Sequence, residues 1–600
     1  MNDMKKPFIE IKNIISKLMY ILTPVQKKES LSVFLAMLIG SCLELLGVSV
    51  LYPFLQVVVS PDSLRNKWYM KWLYRSMPDI SDRSVIIILG VCIMLVFLLK
   101  NAGVLLSTYV QIRFSAKFYR ELSTRMLSSY MKRPYEFFIN TNSSYIMRGI
   151  AGDVSSVYQI ILCGFQIIAE AANVILIGGF LIKTDPMIAS LSMAVALVCF
   201  LGITIGFKGI MKRAGKKMRE AQTWQNRYSY QAVIGIKEVT VLGRRKAFVD
   251  KYEGISRKVE KHTVSSGIVS AAPDRIIEGV CMAGIMLVIC FRLGAGMNME
   301  TFVPVMGVFA VGAFKLFPSV SKVSSRLNQI VFCMPGFNNA YNNLKEEEKY
   351  TAERSNGSEN AGLPVASEPL RFEDKIRIRD VFWHYFEKKE NVLKGLSLTI
   401  NKGESIGLIG SSGAGKSTLA DIIMGLFQPQ SGSVEVDGVD IFSEKDRWIR
   451  LVGYVPQSIF LVDDTVRCNV AFGLEEKDIS DEKVWKALER AQIKEFVEQL
   501  PEGLNTIVGE FGLKFSGGQR QRIAIARALY DSPEVLILDE ATAALDNETE
   551  NALMESIESL QGTITMIIVA HRLTTIRNCD HIYEITDGLA VERSKKELNL

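Results

Sequence analysis

The chain has 600 residues, 48% of them hydrophobic, with 70 Lys and Arg against 64 Asp and Glu and a formal net charge of +6. That length is more than one hydrophobic core organises, and the apolar excess lies almost entirely before Gln329, so a membrane bundle followed by a soluble domain is expected. The basic balance does not point to nucleic acid, because the bases gather in stretches such as 208–261 between apolar runs, the pattern of cytoplasmic loops.

Residues 1–29 mix apolar and basic side chains, which suits a helix lying in a membrane interface. They lack a short apolar core followed by a small-residue cleavage site, so no cleaved signal peptide is expected. Within a membrane domain spanning 30–335, six apolar segments follow at 31–58, 85–111, 158–182, 187–210, 273–295 and 302–325. Each is longer than the roughly 20 residues that cross a bilayer as a helix. The long stretches 112–157 and 211–272 are basic and are expected on the cytoplasmic side together with the N-terminus. The outer segment 62–77 places Leu64, Trp68 and Trp72 four residues apart among Arg65, Lys67, Lys71 and Arg75, an interfacial amphipathic helix in pattern. The nine cysteines form no CxxC pair, which supports neither a zinc site nor a disulfide framework.

Three bases fall in or at the apolar segments: Lys100, Arg275 and Lys315. Intramembrane charge costs about 2.5–3.5 kcal/mol on insertion scales, so such residues usually face a cavity and carry function. A basic lining suits an anionic head group such as pyrophosphate. Glu44, Glu170 and Glu278 could instead pair with these bases as structural counter-ions.

Residues 336–370 read as a linker, charged and then small and polar. Over 371–600 short β-branched runs alternate with amphipathic helical stretches, the pattern of an α/β domain with a largely parallel sheet. Within it Gly410-Ser411-Ser412-Gly413-Ala414-Gly415-Lys416-Ser417-Thr418 fits GxxxxGK[ST] and stands between an apolar strand and a helix, the setting of a P-loop. Its glycines let backbone N–H groups approach phosphate oxygens, Lys416 offsets β/γ-phosphate charge and Ser417 is placed to hold Mg²⁺. The apolar run 535–538 ends in Asp539 and Glu540. Asp539 suits a Mg²⁺ contact, and Glu540 suits polarising the attacking water.

With Phe515-Ser516-Gly517-Gly518-Gln519, similar to LSGGQ, the stretch 376–591 resembles an ABC nucleotide-binding domain with its motifs in order. The resemblance implies that Ser516, Gly517, Gly518 and Gln519 of one copy close over the ATP of another. One such domain per chain therefore implies a dimer with two shared ATP sites, and because no required ATPase residue is replaced, a homodimer is favoured over pairing with a degenerate half. It also implies that Tyr385 stacks on adenine, although Phe382, Trp383 and Phe386 stand close by, and that Gln457 reaches Mg²⁺. His571 is the implied switch histidine contacting γ-phosphate, Asp546 the D-loop acid, and 506–512 a loop sensing the membrane domain. ATP and Mg²⁺ are the implied cofactors.

Six spans ahead of the ATPase on one chain resemble the exporter half-transporter arrangement, which implies a multi-pass protein of the cytoplasmic membrane with its ATPase in the cytoplasm. Coupling segments are expected near 140–149 and 232–243. The external segment, Leu43-Glu44 through Pro53-Phe54, and Ala313 through Ser319 resemble PglK-type lipid-linked oligosaccharide flippases. That implies outward movement of a polyprenyl-pyrophosphate glycan, with Lys100, Arg275 and Lys315 as candidate substrate contacts. The alternatives are a multidrug or lipid exporter, or an ATP-gated channel or regulator. The intact Glu540 and His571 argue against the last.

Overall fold

The computed structural model of the chain describes residues 2–59, 82–294, 299–355, 370–385, 390–540, 555–570, 572–598 and 600, Ser556 excepted. The segment 62–77 lies outside the described residues. The chain divides into two units, one holding 1–133 and 140–350, the other 134–139 and 351–600.

The first unit is helical: α1 (Asn2–Ile21), α2 (Pro24–Val59), α3 (Asp82–Met131), α5 (Ser143–Arg148), α6 (Val154–Thr184), α7 (Pro186–Ile234), α8 (Ile236–Val241), α9 (Arg245–Gly294) and α10 (Met299–Ser355), whereas α4 (Tyr135–Asn140) belongs to the second unit as far as Ile139. Thr23 separates α1 from α2 for local reasons. Its hydroxyl accepts from Gln26 N at 3.3 Å while Gln26 Oε1 accepts from Thr23 N at 3.0 Å, a reciprocal cap with Pro24 at the first helical position.

All six apolar segments fall on long helices as far as the described residues run, and among the described residues four stretches are long and apolar enough to cross a membrane by length and composition. At 50 residues α3 is about 75 Å long at 1.5 Å per residue, more than twice the ~30 Å of hydrocarbon. α3 is therefore much longer than a bilayer is thick. The outer faces of the helices carry Leu99, Ile205 and Leu287, all more than 70% exposed, which in a membrane domain is lipid-facing surface. α7 packs along α9, and α2 packs on α3 and α6.

α10 continues to Ser355, past residue 336, where the linker was expected to start. Runs of Glu and Lys such as 345–349 are strong helix formers, so the lack of apolar periodicity there does not mark a break. Residues 356–369 lie outside the described residues.

The second unit carries two sheets. The first is antiparallel, in the order β2-β1-β4-β5, from β1 (Lys375–Trp383), β2 (Leu393–Asn401), β4 (Ser431–Val436) and β5 (Val439–Asp440). The second has the order β10-β9-β3-β8-β7-β6, from β3 (Ser405–Ile409), β6 (Val452–Val455), β7 (Val535–Asp539), β8 (Thr565–Val569), β9 (His581–Thr586) and β10 (Leu589–Glu592). All pairings in this sheet are parallel except β9 with β10. β3 and β8 are buried along their full length, the mark of parallel strands covered on both faces. Helix α11 (Lys416–Ile423) follows β3, and α12 (Asp481–Arg490) and α13 (Gly517–Leu529) lie between β6 and β7. The carboxyl ends of β3, β6 and β7 carry the expected chemistry, where ligands bind in open α/β sheets.

Candidate functional site

The P-loop leaves β3 through backbone that only glycine adopts cheaply. Gly410 has φ 141° and Gly415 φ 105°, and a Cβ on Gly415 would come within 2.9 Å of Leu393 Cδ2. Gly413, with φ 82°, has open space beside it. Lys416 is buried and folds back to donate from Nζ to Gly410 O at 2.9 Å and Ser411 O at 3.0 Å, which places its ammonium across the loop mouth. Burial holds this ammonium below the ordinary lysine range against the opposing pull of Glu540 and Asp539. Ser412 and Ala414 complete the loop, with Ala414 N donating to Ser411 O at 3.2 Å.

Ser417 Oγ lies 3.4 Å from Asp539 Oδ1. The Gln457 side-chain amide donates to the Glu540 carboxylate, which joins the loop after β6 to the end of β7. Hydroxyl, carboxylate and amide oxygens are the hard donors that Mg²⁺ takes together with phosphate oxygens, so this set fits the ion. Glu540 has φ 48°, a left-handed backbone that costs a non-glycine residue about 1–3 kcal/mol and that accumulates at functional sites. Asp421 on α11 faces the same charges: burial, aided by Asp539, raises its carboxyl to about 7.

The Tyr385 hydroxyl is 3.3 Å from Thr418 Oγ1, and its ring stands edge-on to Trp383 at 4.3 Å. Trp383 is in the core, stacked on Phe427 at 4.6 Å, whereas Tyr385 is the aromatic brought to α11. Phe382 packs over Gly395, and Phe386 lies outside the described residues.

Ser516 caps α13. Its Oγ accepts from Gln519 N at 3.3 Å and its N–H donates to Gln519 Oε1 at 2.8 Å, leaving the amides of Gly517 and Gly518 at the open helix end. α13 packs into a hydrophobic core with Val466, Val484 and Ile493, while α11 packs into a different one with Trp383 and Trp448.

In the membrane unit Lys100 Nζ donates to Glu44 Oε2 at 3.1 Å, and Lys315 Nζ lies 3.4 Å from the same oxygen. Arg275 pairs along its own helix with Glu278 at 3.4 Å, and Glu170 pairs with Lys322 at 3.0 Å. Two of the three expected substrate bases are thus brought together, on a shared carboxylate, and the third is not.

Residues 393–543 match the ABC transporter family, and 31–314 match the ABC transporter transmembrane region. The ATP-dependent lipid A-core flippase of Francisella tularensis subsp. holarctica (strain OSU18) is 30% identical over 531 residues, 86% of this chain and 83% of that protein. The chain belongs to the ABC transporter family. This ABC transporter is an exporter half-transporter, one membrane region and one ATP-hydrolysing region on one chain. The ATP-dependent lipid A-core flippase of Thiobacillus denitrificans (strain ATCC 25259 / T1) is 27% identical over 501 residues, 83% of this chain and 84% of that one. The structure of a bacterial Atm1-family ABC exporter with ATP bound shares the fold at a TM-score of 0.71, with 21% identity and 96% of each chain covered.

His571 and Asp546 of this transporter lie outside the described residues. The coupling segment expected at 140–149 falls in the membrane unit. It is 134–139, just ahead of it, that clusters with the ATPase unit, where the Tyr135 ring lies 5.7 Å from Phe427. The segment 232–243 also stays in the membrane unit. Sequence reasoning also passed over Asn469 and Arg527. The Arg527 guanidinium donates to Asn469 O, Asn469 Oδ1 and Phe460 O at 2.8–2.9 Å, tying α13 to the segment after Gln457. Arg527 falls at the end of an apolar helix face, which is a signal, but two of its three partners are backbone oxygens that no motif encodes.

Proposed function

We propose that two copies of this exporter form a homodimer that flips an anionic lipid-linked glycan, of the polyprenyl-pyrophosphate kind, outward across the cytoplasmic membrane. The relatives named lipid A-core flippases support a lipid cargo. The observation that carries the anionic head group is the sharing of Glu44 by Lys100 and Lys315, which leaves surplus positive charge among the membrane helices. Arg275 is the third candidate contact. The basic loops 112–157 and 211–272 support a cytoplasmic ATPase.

Each ATP is held by one copy's P-loop and the other copy's signature. The separate cores beneath α11 and α13 support this division. Backbone amides of 410–417 and the Lys416 ammonium bind the phosphates, and Tyr385 stacks on the base, typically worth ~1–3 kcal/mol. Ser417, Asp539 and Gln457 are the residues that hold Mg²⁺. When bound, the ion spreads charge off the β- and γ-phosphate oxygens. Glu540 orients the attacking water and takes up its proton, with Gln457 fixing the carboxylate, and His571 contacts the γ-phosphate. Ser516, Gly517, Gly518 and Gln519 of the partner subunit present hydroxyl and helix-end amides to the same phosphate, and Asp546 lines the seam between copies.

The pairing of Arg275 with Glu278 favours a second reading, an exporter of uncharged or drug-like molecules whose bases are internally satisfied. ATPase rate against added cargo separates the two. A polyprenyl-pyrophosphate oligosaccharide raises turnover in the first reading. Stimulation by neutral amphiphiles alone selects the second.

A further inference from the structure

Glu44 on α2, Lys100 on α3 and Lys315 on α10 meet with unequal roles for the two lysines. Lys100 is 4% exposed, and its stem runs where Gly47 has no side chain; a Cβ there would come within 2.8 Å of Lys100 Cδ. Its ammonium lies 4.9 Å from the centroid of the Phe97 ring. The Lys315 side chain is 40% exposed. Both bond one oxygen, Glu44 Oε2, and among the described residues no second carboxylate pairs with either lysine. The cluster carries one net positive charge, fixed at Lys100 and accessible at Lys315.

One negative charge of an incoming anion neutralises this cluster without leaving any of its groups bare. If Lys315 passes to an incoming phosphate oxygen, Glu44 keeps Lys100, and both ion pairs remain complete in a medium that penalises unpaired charge. We propose that Glu44 is a resident competitor for Lys315, displaced when a phosphate-type anion enters and restored when it leaves. This rests on the reading that Lys315 contacts anionic cargo, and adds that the affinity is held down from within. Glu44 recaptures Lys315 as the anion departs, which keeps binding weak enough for release, as any transport site requires. Lipids without an anionic group gain nothing from the exchange, so the device also selects for an anionic head group.

The test uses the full-length transporter in nanodiscs and measures binding of undecaprenyl pyrophosphate and, separately, of inorganic pyrophosphate. The variants are Lys315→Ala, Glu44→Gln and Glu44→Asp. Expected are binding roughly tenfold weaker in Lys315→Ala and roughly tenfold tighter, with slower release, in Glu44→Gln, each the equivalent of 1.4 kcal/mol. Glu44→Asp keeps the charge with a shorter reach and tightens binding by a smaller factor, so the exchange stays readable if Glu44→Gln does not fold. If wild type binds neither probe, or Lys315→Ala binds like wild type, the anionic-cargo reading falls. If Lys315→Ala weakens binding while neither Glu44 variant tightens it, that reading stands and the competitor role is overturned. The same pattern with inorganic pyrophosphate supports the exchange through the phosphate alone, and a pattern confined to the lipid supports it for a membrane-borne head group.

Discussion

The side-chain amide of Gln457 donates to the carboxylate of Glu540 and so joins the loop after β6 to the end of β7. The two strands are parallel neighbours, with Val455 opposite Leu538, so the hydrogen bond spans the gap that the sheet register fixes. Glu540 is held in left-handed backbone by this frame, with its N–H donating to Val569 O at 2.9 Å.

Replacing Glu540 by Gln keeps the shape and removes the base. Phosphate release is expected to fall by about 10²–10³-fold, the scale of losing one preorganised catalytic group, with ATP still bound. Turnover within a few-fold of wild type would show that another residue polarises the water.

Lys416→Ala removes the cation that crosses the P-loop mouth and takes its hydrogen bond from Gly410 O, while Ser411 O keeps the one from Ala414 N. A charge-assisted hydrogen bond contributes about 1.5–3 kcal/mol, so ATP affinity is expected to drop by about 10²-fold in equilibrium binding of a fluorescent nucleotide. Unchanged affinity would mean that the backbone amides alone hold the phosphates.

Asp421 gives a pH dependence with a definite sign. Its folded-state value, raised to about 7 from the ordinary 3.8, means that the folded chain keeps a proton the unfolded chain has released. Its contribution therefore favours folding least above pH 7, and the penalty fades as pH falls from 7 towards 4. Asp421→Asn is expected to raise the thermal midpoint at pH 8 and to match wild type near pH 4. A gap of equal size at both values would refute the assignment.

Arg527→Met removes the hydrogen bonds to Asn469 O, Asn469 Oδ1 and Phe460 O that link α13 to the segment after Gln457, leaving the buried Asn469 O without this donor while Asn469 Oδ1 keeps Val462 N. A loss of about 1–3 kcal/mol per unsatisfied group is expected, read as a lower thermal midpoint. A variant as stable as wild type would show that the link carries no load.

The P-loop, the signature and the Asp539–Glu540 pair were legible because each needs a fixed order of residue types between one strand and one helix. The six apolar segments were legible for the same kind of reason, since length and hydropathy are local. The shared use of Glu44 was not: Lys100 and Lys315 are 215 positions apart, and only helix packing places both on one oxygen. The placing of 134–139, rather than 140–149, with the ATPase unit depends on how Tyr135 meets Phe427, a contact that no periodicity predicts. The extension of α10 to Ser355 was missed because a helix rich in Glu and Lys and a linker share a polar composition.

The most direct measurement is ATP-driven flipping of a polyprenyl-pyrophosphate oligosaccharide in proteoliposomes, run beside Glu540→Gln. The account predicts that the glycan changes leaflet with wild type and ATP, and stays in place with the variant. Vigorous ATP hydrolysis by wild type with no movement of the lipid would contradict it.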